Sequence, residues 1–406
     1  MLPALPNLRH LDAFREISRS GTVSAAASAV HLSQPAITQA VAALEGLFGA
    51  TLFNRSHLGM KLTDAGEVCL RRVERTLDQI RSGVAECRGA TRSRANPTSP
   101  RAITSAQLQA LVAVVEHHGF AAAARQSGLS RPSLHRAARA LEHELGVDLF
   151  ERTSFGVEPT REAVELARRL TLAFTELEQA RAEIAALGGG DAGRTVIGAM
   201  PLARTALVPQ TVLEFAAEHP AHTLTILDGP YEGMLETLRR GAADLLVGAL
   251  RDPVPFADVV QEVLFEDPLA LVVRAGHPLA AQRRASLREL ARYAWIAPRK
   301  SSPLRAQFDA LTSAIGVEAA ARPIECNSLV AARALLLGSD RIMLLSEHQI
   351  RHELTTRQLV SLEHPLGGVV RTIGLTMRRD WQPTRAQTSL LGCLRRHAAS
   401  SRQRDV

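Results

Sequence analysis

The sequence predicts a multi-domain α+β chain: two helix-rich copies of one small unit, followed by an α/β half. Three observations predict it. A gapless internal repeat joins residues 11–63 to residues 108–160, apolar residues in both copies recur at helical spacing, and short apolar strands alternate with helices beyond residue 190. At 406 residues the chain is too long for one ordinary core. With 46% hydrophobic and 22% charged residues it has the composition of a folded protein, which excludes a mostly disordered chain.

The repeat holds a constant offset of 97 residues, and its shared positions include Ala26/Ala123, Leu32/Leu129, Ser33/Ser130, Pro35/Pro132, Glu45/Glu142, Gly49/Gly146, Phe53/Phe150, Arg55/Arg152 and Thr63/Thr160. Low complexity does not generate a register of Pro, Gly, Phe and Arg of this length.

Each copy reads as three short helices, a hairpin and a long helix. In copy one Leu8, Leu11, Phe14 and Ile17 form one helical face. Thr22 caps an alanine-rich helix from Val23 to Val30, and a tight turn follows at His31-Leu32-Ser33. Ser33 caps the third helix, with Pro35 tolerated in its first turn. Ile37, Val41, Leu44 and Phe48 are its apolar stripe; Leu134, Ala138, Leu141 and Leu145 are the stripe of copy two. Gly49 and Gly146 end these helices. A hairpin follows, and then Thr63 and Thr160 cap long helices. Their predicted seams are Val68, Val73, Leu77, Ile80 and Val84, and Val164, Leu170, Leu177, Ile184 and Leu187.

Two small-residue helices at a tight turn make a helix-turn-helix. Its second helix projects Gln34, Thr38 and Gln39 in copy one, and Arg131, Ser133, His135, Arg136 and Arg139 in copy two. Gln and Arg make paired hydrogen bonds to base edges in a DNA major groove. Arg55 and Arg152, on the hairpins, are placed for backbone phosphates. A different reading applies to copy two alone: it serves as a packing module. Its basic helix argues against this; Glu151 and Glu158 beside its hairpin argue for it, since phosphates repel carboxylates.

Net charge neither proves nor excludes nucleic acid. The total is +7; residues 1–190 hold 22 basic and 19 acidic side chains, or +3, and the remainder hold 26 and 22, or +4. Only Lys61 and Lys300 are lysines, and the flat donor fork of the remaining arginines suits phosphate and guanine.

Both copies resemble the N-terminal winged helix-turn-helix of LysR-type transcriptional regulators. The resemblance rests on Ala26-Ala27, on Leu32-Ser33-Gln34-Pro35-Ala36-Ile37-Thr38, on Leu44-Glu45, on Leu52-Phe53-Asn54-Arg55 and on Leu62-Thr63-Asp64-Ala65-Gly66. Copy two departs from it with Arg131, Pro159 and Ala163 in place of Gln34, Leu62 and Gly66. Family members normally carry one such domain. The resemblance implies a DNA-contacting set of Ser33, Gln34, Pro35, Thr38, Gln39 and Arg55, joined by Ser130, Arg131, Ser133, His135, Arg136, Arg139 and Arg152.

Expected boundaries are 1–88 for copy one, 89–102 for a basic, Pro-containing tether, 103–187 for copy two and 194–398 for the C-terminal domain. That last part has candidate strands at Thr195–Ala199, Thr223–Asp228, Asp244–Gly248, Val259–Phe265, Leu269–Arg274, Arg341–Leu345 and Thr372–Met377. Candidate helices are Ala206–Glu218, Tyr231–Arg240, Ser302–Ile315 and Leu329–Leu337. Such alternation implies a mostly parallel sheet.

Leu207-Val208-Pro209, His219-Pro220, Leu238 to Asp244 and His277-Pro278-Leu279 resemble the effector domain of the same family. The implied fold is two-lobed and type 2 periplasmic-binding-protein-like. Lobe one would be 194–267 plus 363–398, and lobe two 268–362. Gly198 to Arg204, with Gly229-Pro230-Tyr231, resembles the branch named for regulation of a galactose-binding protein.

Ligands in such sheets sit beyond strand carboxyl ends, near helix N-termini. The candidate effector residues are therefore Pro201, Leu202, Arg204, Thr205, Tyr231, Ser301, Ser302, Asn327 and Ser328, suited to a sugar or small carboxylate. The plainer alternatives are a surface arginine at 204 and ordinary helix caps at Ser301 and Ser302. His277 reads as a turn residue.

The four cysteines, Cys69, Cys87, Cys326 and Cys393, fit no zinc or redox spacing. No phosphate-loop, metalloprotease or nucleophile-elbow motif occurs, so neither an enzyme nor a cofactor is read. No run of 18 apolar residues spans a membrane, and no apolar leader follows Met1, which points to the cytoplasm. Expected partners are double-stranded operator or promoter DNA, a small effector, further copies of the chain as a homodimer or homotetramer, and RNA polymerase. The rival from another class is a cytoplasmic solute-binding receptor.

Overall fold

The structure, a computed structural model, describes residues 5–56, 59–90, 103–154, 156–190, 193–300, 302–316, 323–367 and 369–402. Chain order begins with α1 (Leu8–Ser20), α2 (Val23–Val30), α3 (Gln34–Phe48), β1 (Phe53–Ser56), β2 (Gly59–Leu62) and α4 (Asp64–Ala90). Leu11, Phe14 and Ile17 of α1 are fully buried, as their spacing predicts. The Thr22 hydroxyl accepts from the Ala25 amide at 3.3 Å, and the Ser33 hydroxyl accepts from Ala36 at 3.4 Å. Gly49 ends α3 in the left-handed region at φ +67°, which glycine adopts without strain. The Glu45 carboxylate, on the last turns of α3, accepts from the Leu52 amide at 2.8 Å and so ties the hairpin to the helix.

The same order of elements follows in α5 (Ser105–Glu116), α6 (Phe120–Ser127), α7 (Arg131–Leu145), β3 (Phe150–Thr153), β4 (Gly156–Pro159) and α8 (Arg161–Leu187). Glu142 here takes the part of Glu45, accepting from Leu149 at 2.9 Å and Phe150 at 3.1 Å. A single apolar core runs through both units. The Ser105 hydroxyl at the start of α5 donates to the Pro6 carbonyl at 2.6 Å.

The two long helices, α4 and α8, pack antiparallel along their length. The Thr76 hydroxyl reaches the Ala173 carbonyl at 3.4 Å near the middle of both. Arg72, only 1% exposed, donates to Glu176 at 2.7 Å, Gln179 at 2.6 Å, Glu183 at 2.7 Å and the Gln382 carbonyl at 3.0 Å. On the opposite side of the seam Arg169 donates to Gln79 at 3.1 Å and Glu86 at 2.6 Å. A Cβ on Gly83 would come within 2.9 Å of the Arg169 Cβ, so the helices meet more closely there than a side chain permits.

Most of the expected apolar stripe is buried in this seam: Val73, Leu77, Ile80 and Val84 of α4, and Leu170, Leu177 and Ile184 of α8. Val68 and Val164 are only half-buried and Leu187 is exposed, and a buried polar group sits beside the apolar residues. The expected tether also begins late: Gly89 and Ala90 still belong to α4, and residues 91–102 lie outside the described residues.

The C-terminal half contains β5 (Arg194–Ala199), α9 (Leu207–Glu218), β6 (Thr223–Leu227), α10 (Tyr231–Arg239), β7 (Leu245–Ala249), β8 (Val259–Arg274), α11 (Leu287–Leu290) and β9 (Trp295–Ala297). It continues through α12 (Pro303–Ile315), β10 (Ile324–Glu325), α13 (Leu329–Leu337), β11 (Ile342–Ser346), α14 (Arg351–Thr355), β12 (Leu359–Leu362), β13 (Val370–Arg378) and α15 (Arg385–Arg402).

The strand order is β10-β9-β11-β8-β13-β7-β5-β6, with β12 also on β8. The sheet is mixed rather than mostly parallel: β8 and β13 run antiparallel to their neighbours, whereas the β5/β6, β5/β7, β9/β10 and β9/β11 pairs are parallel. The two predicted strands at 259–265 and 269–274 are one strand, β8. Its first part pairs β13 and its second part pairs β11 and β12, so Pro268 falls where the strand changes partners.

Separate apolar cores gather on either side of that change. One includes Phe215, Val247, Phe265 and Leu394; the other includes Leu271, Trp295, Phe308 and Leu344. Between them, Asp267 is fully buried and accepts from Arg371 at 2.6 Å and from the Ser346 hydroxyl.

Arg72 and Arg169 predict unequal costs for the same substitution to alanine. Arg72→Ala leaves Glu176 and Glu183 without their buried cation and should lower urea-unfolding stability by about 3 kcal/mol. Arg169→Ala removes a partly exposed pair with Glu86 and should cost less, about 1 kcal/mol. Equal midpoint shifts in helical circular dichroism would contradict the seam as described.

Candidate functional site

The helix-turn-helix of the first unit is α2, the turn at His31 to Ser33, and α3. Ile37, Ala40, Val41 and Leu44 of α3 are buried, which turns Ser33, Gln34, Pro35, Thr38 and Gln39 outward, all of them exposed. The Thr38 hydroxyl donates back to the Gln34 carbonyl at 3.1 Å and keeps its acceptor lone pairs. Arg55 lies on β1, in the hairpin beside this face.

In the second unit the buried stripe is Leu134, Ala138, Leu141 and Leu145. Ser130, Arg131, Arg136 and Arg139 are exposed, and Ser133 is half-buried. Ser130 caps the helix by accepting from the Ser133 amide at 3.2 Å, and Arg136 donates to the Ser133 hydroxyl at 3.2 Å. Two further members of the expected set are engaged with residues outside it. Arg139 donates to Glu142 at 2.9 Å, and the His135 ring stacks on Phe120 with centroids 3.9 Å apart. Burial against Phe120 and the nearby Arg131 and Arg139 hold the His135 imidazole below its ordinary pKa of 6.5. Arg152 is exposed on β3, where Glu151 and Glu158 face each other across the hairpin.

The second candidate site is a cleft of about 350 Å³ between the two cores of the C-terminal half. Pro201, Leu202, Arg204, Tyr231, Ser302, Asn327 and Ser328 line it, as expected. Thr205 does not: its hydroxyl donates to the Leu202 and His348 carbonyls at 2.8 and 3.0 Å, so it ties the two sides together. Ser301 lies outside the described residues.

Arg204 is paired with Asp228 and so is not an unopposed anion clamp. Ser302 and Ser328 are helix caps, accepting from Leu304 and Ala331 at 3.3 Å, and Asn327 accepts from the Arg299 amide at 2.9 Å. Sequence reasoning missed Asp228, Glu232, Arg251, Arg299, Gln349 and Arg371, which supply further polar groups to the lining. Arg251 stacks over the Tyr231 ring at 3.9 Å, and the Tyr231 hydroxyl is buried without a partner among the described residues. Arg251 comes from a loop and Arg371 from a strand over 100 residues later, so no local spacing marks them.

Exposed polar helix starts in a helix-turn-helix, joined to an α/β half with a cleft of small-molecule size, are the parts of a DNA-binding regulator with an effector domain. The comparisons with known proteins name its family. The model for the bacterial regulatory helix-turn-helix protein of the lysR family matches residues 8–67 and again 105–164. The LysR substrate binding domain matches residues 188–399.

GalR of Pseudomonas putida, an HTH-type transcriptional regulator, is 33% identical over 392 residues, 96% of this chain and 97% of its own. PcaQ of Agrobacterium fabrum, also a regulator, is 30% identical over 291 residues, 72% of this chain and 94% of its own. The fold is shared with a full-length OxyR variant of Pseudomonas aeruginosa, with TM-score 0.52 and 22% identity over 72% of this chain and 93% of that one. The chain belongs to the LysR family: it is a DNA-binding transcriptional regulator with a C-terminal effector-binding domain, not an enzyme. No helix among the described residues is long and apolar enough to cross a membrane.

The environment of His135 makes a pH prediction. Its folded pKa lies below the unfolded value, so the stability it contributes is present above pH 6.5 and is lost as pH falls from there toward the folded midpoint. An NMR titration should place that midpoint below 6.5, and Phe120→Ala should move it up toward 6.5. A midpoint above 6.5 in the parent protein would contradict the stacking.

Proposed function

We propose that this regulator carries two tandem winged helix-turn-helix heads, and that both face DNA. The observation that supports this most is the outward polar start of α3 and of α7, with the apolar stripe of each helix buried behind it. Gln34, Thr38 and Gln39, and Arg131 and Arg136, are the base-reading candidates; Ser33, Pro35, Ser130 and Ser133 shape and cap the helix starts; Arg55 and Arg152 contact phosphates. A second reading has its own support: the Arg139–Glu142 pair, the stacked His135 and the facing Glu151 and Glu158 suit a head that packs and does not read.

The C-terminal half is the sensor, and we assign it the two-lobed, periplasmic-binding-protein-like closure. The cleft is lined by four guanidiniums; Arg204 is paired with Asp228 and Arg371 with the buried Asp267, which leaves Arg251 and Arg299 against Glu232. That excess favours a small carboxylate over a neutral sugar. A ligand held by both lobes favours the closed arrangement by its difference in affinity for the two states.

Two measurements test this. In a gel shift with the DNA upstream of its own gene, Gln34→Ala should weaken binding, and Arg131→Ala together with Arg136→Ala should weaken it further and lower its salt dependence. An unchanged shift in the double arginine variant would assign copy two to packing. In a thermal-shift screen of small carboxylates and sugars on the full chain, a carboxylate at 100 times its Kd should stabilise by about 2.7 kcal/mol, and Arg371→Ala should abolish the shift. Stabilisation by neutral sugars alone would overturn the anion assignment.

A further inference from the structure

We infer that one chain, not two, supplies both halves of a dyad-related DNA-reading unit, and that its two halves read unlike half-sites. This rests on the reading above that both heads face DNA. The α4–α8 contact is close to self-symmetric under the 97-residue repeat. Arg169 is the repeat of Arg72 and Glu183 the repeat of Glu86, and the structure pairs Arg72 with Glu183 and Arg169 with Glu86. Glu176 is the repeat of Gln79; Arg72 donates to Glu176, and Arg169 donates to Gln79. Thr76 meets its own repeat, Ala173, which places a local two-fold axis there.

Residue i touching j′ while i′ touches j is the mark of an isologous interface, here formed within one polypeptide. The starts of the first helices meet near the same axis, through Ser105 and Pro6. The heads also cross over. Arg88 at the end of α4 donates to the Glu144 carbonyl of the second head at 2.9 Å, and Ile184 at the end of α8 lies against the first head beside Phe48 and Thr51.

Each long helix has 27 residues and is about 40 Å long, so the pair carries one head at each end. Half-sites on one face of B-DNA lie roughly 34 Å apart, which such a pair can serve. A second chain is then not needed to complete a dyad.

The helix starts are not copies of each other. Repeat-equivalent positions are Gln34 and Arg131, Thr38 and His135, Gln39 and Arg136. Gln pairs with adenine and Arg with guanine in the major groove. The matching DNA is a two-part site, adenine-bearing where α3 docks and guanine-bearing where α7 docks.

The test is selection from a random duplex library by the full-length protein, followed by native mass spectrometry on the winning duplex. The expected result is a two-part motif with unlike halves and one chain per motif. Gln39→Ala should relax only the adenine-bearing half, and Arg136→Ala only the guanine-bearing half, each by about tenfold or more in discrimination. Circular dichroism should show both variants folded, since both side chains are exposed. A symmetric palindrome, two chains per motif, or an unchanged motif with Arg136→Ala would overturn the inference and leave DNA binding standing. Failure to enrich any sequence would overturn the DNA-reading heads themselves, and this inference with them.

Discussion

The antiparallel contact of α4 and α8 is the constraint on which the N-terminal half depends. A helix of this length with an apolar stripe is not stable alone in water, and each finds its cover in the other. The contact is not apolar throughout: a buried polar group sits beside Val73, Leu77, Leu170 and Leu177. Arg72 is withdrawn from water, a large desolvation cost, and the acceptors on Glu176, Gln179, Glu183 and the Gln382 carbonyl offset it. Such a group adds little net stability but fixes register. A slip of one turn moves the partners about 5.4 Å apart and strands a buried charge. Gly83, with no Cβ, lets the backbones close around that arrangement.

The effector-binding half is fastened to this seam at two places. Gln382 and Asp380, in the turn after β13, accept from Arg72, Arg75 and Gln79 of α4. Arg239, at the end of α10, accepts from Arg168 of α8 at 3.3 Å through its carbonyl. Strand β13 links these contacts to the cleft, because Arg371 lines the cleft and Arg378 lies seven residues on, about 23 Å away. The Arg378 guanidinium is buried and donates to the Leu238 and Ala243 carbonyls at 2.8 and 2.7 Å, so the strand is pinned at that end. On the proposed reading, closure bends β8 and β13 near Asp267, and the strain reaches α4 along the pinned strand. Coupling of this kind needs a physical element that both sites bias, and β13 is such an element.

The helical half was legible in the sequence because its signals are local. Apolar spacing, Ser and Thr caps, and glycine at left-handed positions each act within one turn. The C-terminal half was less so. Glu266-Asp267-Pro268 reads as a break between two strands, yet β8 runs through it. Pro268 falls where no single ladder needs its amide, and Asp267 is satisfied by Arg371 and Ser346, far along the chain. Strand β9 has three residues and β10 two, too few for any periodicity to show. α15 lay outside the predicted helices although Leu390, Leu391 and Leu394 bury its apolar face. In the cleft, Arg204 was found because it follows a strand. Its neutralising partner Asp228 and the better-buried Arg371 come together only through the fold.

The pseudo-symmetry of the heads meets an asymmetric load. Two heads and two long helices are served by one effector-binding domain, so equivalent positions acquire different surroundings. Arg72 is sealed beneath Gln382 at 1% exposure, whereas its repeat Arg169 is only half-buried beside Glu86. Arg75 pairs with Glu176 and reaches the Asp380 carbonyl, whereas its repeat is Leu172, packed against Gly241. In a true homodimer every contact of one helix must be tolerated by its identical partner. Tandem copies are released from that condition. One helix can specialise in docking to the turn after β13, and the other in docking at the end of α10, where Leu172 packs against Gly241 and Arg168 reaches the Arg239 carbonyl. On the proposed reading the same release applies at the far ends, where Gln39 and Arg136 differ at equivalent positions, and a duplicated head can lose symmetry in its outer face while keeping symmetry in its seam.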